Sequence, residues 1–144
     1  MNVKNVDCFH LESMTQLEKH TVKHPILPHE LPGHVFLKQQ LPIKGSEIGI
    51  HCLEAYESMP FYHKHNKHEE TYIFYSGEGE FKVDDEIIPI KEGSIIHVKP
   101  NGIRTWRNTS QTALYWICVQ SSVEHEIPGN VQDGTALKKE VIWS

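Results

Sequence analysis

Turn signals interrupt this sequence at short intervals between residues 34 and 120, and that spacing restricts the fold more than any other feature. The runs between the interruptions are β-branched, aromatic and aliphatic: residues 34–39, 47–56, 71–75, 80–83, 86–90, 94–98, 104–107 and 113–120. Such runs read as strands. Pro42, Gly77, Asp84, Asp85, Gly93, Pro100, Gly102 and Asn108 mark the breaks, and these residue types favour tight turns. Many short strands at this spacing predict an all-β barrel or sandwich. Residues 113–120 form the most apolar run and are expected at the centre of a sheet. Pro89 makes residues 86–90 an edge or a strand end.

Residues 61–79, FYHKHNKHEETYIFYSGEG, concentrate the candidate chemistry. If residues 63–65 are extended, His63 and His65 point to one side, because strand side chains alternate faces. Glu70 opens the following run. Two imidazoles and a carboxylate on adjacent strands suit a divalent metal and leave coordination positions open. Such ligation needs neutral imidazole, so it is expected to weaken below about pH 6.5. Glu69 faces the other way, and His68 lies in the turn, facing water. Tyr72 and Phe74 share the parity of Glu70 and are expected inside. Core packing accounts for Tyr72, Phe74, Phe81, Trp106 and Trp116 without a ligand. Gln120, at the end of the central run, offers a polar handle inside the barrel. Gly77 and Gly79 belong to a hairpin rather than a phosphate loop, because no helix follows.

A length of 144 residues is expected to give one domain. Residues 1–34 read as an irregular N-terminal arm, residues 35–122 as the barrel and residues 123–144 as a C-terminal extension. In the arm Leu11, Met14 and Leu17 have weak helical spacing, and Pro25, Pro28 and Pro32 then break any regular element. Residues 136–143 are expected to be a strand or short helix, with Trp143 docked on the barrel or on a dimer partner. A net charge of −5 and the lack of a Lys/Arg cluster argue against nucleic acid as the main partner. Cys8, Cys52 and Cys118 are odd in number and far apart, so no disulfide framework is suggested. No membrane-length apolar run and no signal-peptide pattern occur, which makes a cytoplasmic location the default expectation.

The pattern resembles the cupin superfamily. That family's first motif places His-x-His before a Glu and then a Gly, and His63-x-His65, Glu70 and Gly77 match its spacing. Glu57 stands where its opening Gly would be. The second motif is matched by Gly93, Pro100-Asn101-Gly102 and Asn108. Its His is missing: Arg104, which shares strand parity with Trp106 and Asn108, falls in that place.

The resemblance implies a double-stranded β-barrel of the jelly-roll type, often paired as a homodimer. It also implies a divalent transition metal, Fe, Mn, Ni or Zn, held by His63, His65 and Glu70. His97 and His51 are the candidates for a replacement third His. Two roles are open to Arg104: it clamps an acidic small molecule, with Tyr72, Trp106 and Gln120 around it, or it pairs with Glu70 and leaves the site without metal. Two functions follow. One is a metal-dependent oxygenase or isomerase acting on a small polar or acidic molecule. The other is a non-catalytic small-ligand binder. The fold itself does not choose between them.

Overall fold

The computed structural model describes residues 5–129 and 133–143. Ten strands follow one another: β1 (Thr21–Lys23), β2 (Glu30–Pro32), β3 (His34–Phe36), β4 (Ser46–Leu53), β5 (His68–Ser76), β6 (Gly79–Val83), β7 (Glu86–Ile90), β8 (Ile95–Val98), β9 (Arg104–Asn108) and β10 (Leu114–Ser122). Among the described residues the helical content is one 3₁₀ turn, Leu37–Gln39. No helix among them is long and apolar enough to cross a membrane.

Strands β1 and β2 pair separately as a hairpin, and the other eight strands form a jelly roll from two antiparallel sheets. The larger has the order β3-β4-β10-β5-β8 and the smaller β7-β6-β9. The most apolar run, β10, lies between β4 and β5, and Pro89 lies on the edge strand β7. Alternation decides what lies between the sheets. Tyr72 and Phe74 on β5, Trp106 on β9, and Leu114, Trp116 and Cys118 on β10 are buried in one core with Phe81. Trp106 is its pivot. Its ring stacks on Phe81 at 5.3 Å and meets Trp116 edge-on at 5.4 Å and Tyr72 at 5.0 Å. Offset and edge-to-face contacts of this kind are the favoured arrangements.

The turns follow their chemistry. Asp84 closes the β6–β7 hairpin at φ 53° and Asn101 turns the chain at φ 72°, and Asp and Asn tolerate such angles better than most residues. Gly77 adopts φ 99°, and a Cβ there would lie 2.6 Å from the Ala113 carbonyl oxygen. No other residue type fits that position.

The N-terminal segment is mostly irregular, with the short strands β1 and β2 near its end, and the weak helical spacing of Leu11, Met14 and Leu17 gives no helix. The segment lies on the outer face of the larger sheet. Leu17 is fully buried there with Val35, Ile50 and Cys52, and Leu11, Tyr75, Tyr115 and Ile117 pack around them. The Tyr75 hydroxyl donates to the Met14 carbonyl at 2.5 Å and that of Tyr115 to the Thr15 carbonyl at 2.7 Å. Tertiary contact rather than helix formation holds this segment in place. The strand read from residue 34 begins there, with His34 paired to His51 across β3 and β4.

At the other end, residues 136–143 form neither strand nor helix. Trp143 is 92% exposed, so it does not dock on the barrel of its own chain. The parts of the arm and the extension at residues 1–4, 130–132 and 144 lie outside the described residues.

Replacing Leu17 by Ala is expected to cost about 2–5 kcal/mol in urea unfolding, the range for emptying a well-packed site. Trp143→Ser in dilute protein is expected to stay within about 0.5 kcal/mol.

Candidate functional site

The barrel's open end is set by register. Gln120 on β10 faces Glu47 on β4 and Glu70 on β5. These three inward residues form a polar row, below which Gly49, Cys118 and Tyr72 and then His51, Trp116 and Phe74 follow on the same strands. The opposite wall comes from residues 57–65, which run beside β9 without being a strand of the sheet. Antiparallel bridges join Ser58 to Arg107 and His63 to Arg104. His63 and Arg104 exchange two backbone hydrogen bonds of 3.0 Å, and the His65 carbonyl accepts from Asn101 N–H at 2.7 Å. The expected extension at 63–65 is therefore present as a bridged segment, and it aims both imidazoles across the mouth.

There they meet Glu70. Ligand atoms of His63, His65 and Glu70 all lie within 4.8 Å of one another. Each imidazole Nε2 is 3.4 Å from a Glu70 oxygen, His63 from Oε1 and His65 from Oε2.

Glu70 has further partners. Arg104 Nη2 donates to Oε1 at 2.8 Å and the Tyr72 hydroxyl donates to the same oxygen at 2.5 Å. The Cys118 thiol donates to Oε2 at 3.3 Å. Arg104 is itself fully buried, and gives Nε–H to the Tyr72 oxygen at 3.3 Å and Nη1–H to the Gly102 carbonyl at 2.7 Å. Arg104 and Glu70 thus form a buried ion pair at 2.8 Å. Arg104 lies behind Glu70 and Tyr72 and is not among the residues lining the adjoining cavity.

This network sets the charges. Burial alone would raise the Glu70 pKa. The groups facing it, His63, Tyr72, His65 and Cys118, outweigh burial and hold it well below the usual carboxylate range. Burial and the neighbouring Glu70 charge push the Tyr72 hydroxyl and the Cys118 thiol upward, so both remain protonated donors. Burial pulls His65 downward. The site thus holds one anion, one cation and two imidazoles.

A cavity of about 380 Å³ opens beside the cluster. Its polar lining includes His34, His51, His63, His65, Glu70 and Gln120, and its apolar walls include Phe36, Met59, Phe61, Trp106 and Trp116. That volume lies within the usual small-molecule range. Tyr72, Trp106 and Gln120 also line it. The Gln120 amide donates to His68 Nδ1 at 2.7 Å, which ties the rim residue His68 to the central strand rather than leaving it in a turn.

Neither replacement ligand joins the cluster. His97 faces Thr71 in register, on the outer side of β8, and its Nε2 lies 2.6 Å from Glu69. His51 points inward but pairs with His34, Nδ1 to Nδ1, at 2.7 Å. Two site residues were missed. Cys118 shares the parity of Trp116 and Gln120, which was the available signal. His34 gave none, because its partner is set by a long-range strand pairing.

The family model for the cupin domain matches residues 49–120, half of the chain, and the protein belongs to that family. A cupin protein from Bacteroides fragilis is similar at 26% identity, covering 81% of this chain and 97% of that one, with a TM-score of 0.69. A structure from Thermotoga maritima, described as a predicted oxalate decarboxylase, is 25% identical over 66% of this chain and 83% of that one, with a TM-score of 0.57. A protein from Photorhabdus luminescens, 12% identical over 85% and 91% of the two chains with a TM-score of 0.62, shares the fold. None of the curated proteins matches.

Two measurements probe the site's energetics. Arg104→Ala strands the Glu70 charge in the interior and is expected to cost about 3–5 kcal/mol in chemical denaturation. The second concerns pH. Burial lowers His34 to about 4 and His51 to about 3, whereas the unfolded chain protonates these rings near 6.5. The unfolded state therefore binds more protons between those values, and stability falls as pH drops through that window. His51→Gln is expected to flatten the stability slope between about pH 4.5 and 6.5.

Proposed function

We propose that this cupin binds one divalent transition metal through His63 Nε2, His65 Nε2 and a Glu70 oxygen, and acts on a small molecule held in the adjoining cavity. The observation that carries the reading is the convergence of those three ligand atoms within 4.8 Å. The donor set fits Fe, Mn, Ni or Zn: two imidazoles and one carboxylate, with positions left open. Arg104 and Tyr72 occupy Oε1 and leave Oε2 turned toward His65, so they would orient the carboxylate as supporting partners commonly do. His63 Nδ1 is buried without a partner. The ring's direction then depends on the backbone bridge to Arg104 and on packing against Phe61 and Trp106.

When bound, the metal would supply Lewis acidity and a place for oxygen, water or substrate. The protein's own residues do the rest. Arg104 pairs with the Glu70 carboxylate, Tyr72 fixes one of its oxygens, and the apolar walls exclude water from the bound molecule. The reaction would be oxygenation or isomerisation. The expected acidic substrate loses one anchor, because Arg104 is engaged with Glu70; the walls suit a mostly apolar molecule with one polar end. The Thermotoga maritima neighbour's description points toward small-acid chemistry, and it is the support for the acidic alternative.

A second reading rests on one observation. The Arg104–Glu70 pair satisfies the carboxylate without any ion, as a metal-free ligand-binding barrel would require. The experiment that separates the two is metal analysis of tag-free protein with calorimetric titration of Fe²⁺, Mn²⁺, Ni²⁺ and Zn²⁺. The metal reading expects about one equivalent, lost in the His63→Ala/His65→Ala variant, with binding weakened below about pH 6.5. No uptake and an unchanged melting temperature would leave the second reading.

We also infer a homodimer. Leu137, Val141, Ile142 and Trp143 are all exposed, an apolar tail suited to a second copy. Sedimentation of the full chain and of Trp143→Ser checks it, with dissociation expected for the variant.

A further inference from the structure

The cavity has a second polar centre apart from the His63, His65 and Glu70 cluster. His34 on β3 and His51 on β4 are Cα partners, 8% and 7% exposed, with their Nδ1 atoms 2.7 Å apart. His51 stacks on Trp116 at 5.4 Å and meets the Phe36 ring edge-on at 5.3 Å. Both imidazoles line the cavity. Among the described residues neither Nε2 has a protein hydrogen-bond partner, and neither is among the polar atoms sealed away from open space.

Gly49 makes this placement possible. It lies two residues before His51 on the same inward face and also lines the cavity. A Cβ at Gly49 would sit 2.1 Å from His51 Nε2. The imidazole edge therefore rests over bare backbone at the cavity wall, in space that any other residue would fill.

A hydrogen bond between two neutral imidazoles fixes their tautomers as opposites. The ring that donates through Nδ1–H has a bare Nε2. The ring that accepts at Nδ1 carries its proton on Nε2. One outward nitrogen is thus an acceptor and the other a donor, and neither bears charge. Burial keeps both rings neutral at ordinary pH.

We propose that the His34–His51 pair is a ligand-binding site for an uncharged hydroxyl-bearing group on an aromatic body. A hydroxyl both donates and accepts, so it matches a donor–acceptor pair. Phe36 and Trp116 supply the aromatic surface around it. A carboxylate or ammonium would find no opposite charge on either ring and would lose its hydration against these walls. The site shares the cavity of the proposed metal centre, but needs no metal.

The test uses the full chain with ¹⁵N-labelled histidine, treated with chelator, so that failure of the metal reading leaves the result untouched. Two-bond ¹⁵N–¹H correlation spectra at neutral pH are expected to show His34 and His51 as opposite neutral tautomers. Phenol should shift the Nε2 resonances of the pair saturably, and toluene and benzoate should not. His51→Phe keeps an aromatic ring on Trp116 and is expected to weaken phenol binding at least tenfold. Gly49→Ala, which displaces the imidazole without removing it, should do the same. A melting curve close to that of the parent establishes that each variant folds, and His34→Phe replaces any that does not. Two rings in the same tautomer, equal binding of toluene, or phenol binding unchanged in a folded variant would each overturn the proposal.

Discussion

A guanidinium shut away from water needs its counter-charge within the protein, and Arg104 has one such partner. Taking the two charges of the Arg104–Glu70 pair out of solvent costs several kcal/mol per ion, and good geometry with additional hydrogen bonds has to offset it. Here Tyr72 bonds both members, the Gly102 carbonyl takes another guanidinium proton, and Cys118 approaches the far carboxylate oxygen. Because Arg104 belongs to the smaller sheet and Glu70 to the larger, the pair also ties the two halves of the jelly roll at its open end. The direction of Glu70, and with it the relation to His63 and His65, depends on that tie.

The same pair divides the work of the carboxylate. One oxygen is committed to the interior and the other looks toward His65. The imidazoles arrive on a segment held by backbone bonds to the first residue of β9, so Arg104 positions the site twice, through its side chain and through its main chain. A family pattern that carries His at this place would offer a further metal ligand there. This chain offers a fixed positive charge, and the cavity acquires its remaining polar character from imidazoles on β3 and β4 instead.

The sequence carried the barrel more fully than the site. Short runs separated by turn residues were sufficient for the strand succession, because alternation and turn chemistry are local. Parity correctly put Glu70, Tyr72, Trp106 and Arg104 inside, and it also contained the position of Cys118. It could not say what Arg104 touches, since Glu70 lies on another sheet and only the packed barrel brings them to 2.8 Å. His97 is flanked by Ile95, Ile96 and Val98, and an almost uninterrupted apolar run hides which face is inward; pairing with Thr71 puts His97 outside. His51 is inside, but its partner His34 comes from a three-residue strand whose register no periodicity reveals. Leu17 illustrates the same limit, being an apolar residue of an irregular arm whose destination is a distant sheet face.

The leading segment encloses space as well as covering the sheet. Val22, His24 and Leu31, from the β1–β2 hairpin and the residue that follows β1, form part of the cavity wall. They lie outside the stretch, residues 49–120, by which the chain is assigned to its family. Kinship is thus written in one part of the polypeptide and the contour of the cavity partly in another. A substitution in the β1–β2 hairpin would reshape that hollow without touching any position that carries the family pattern.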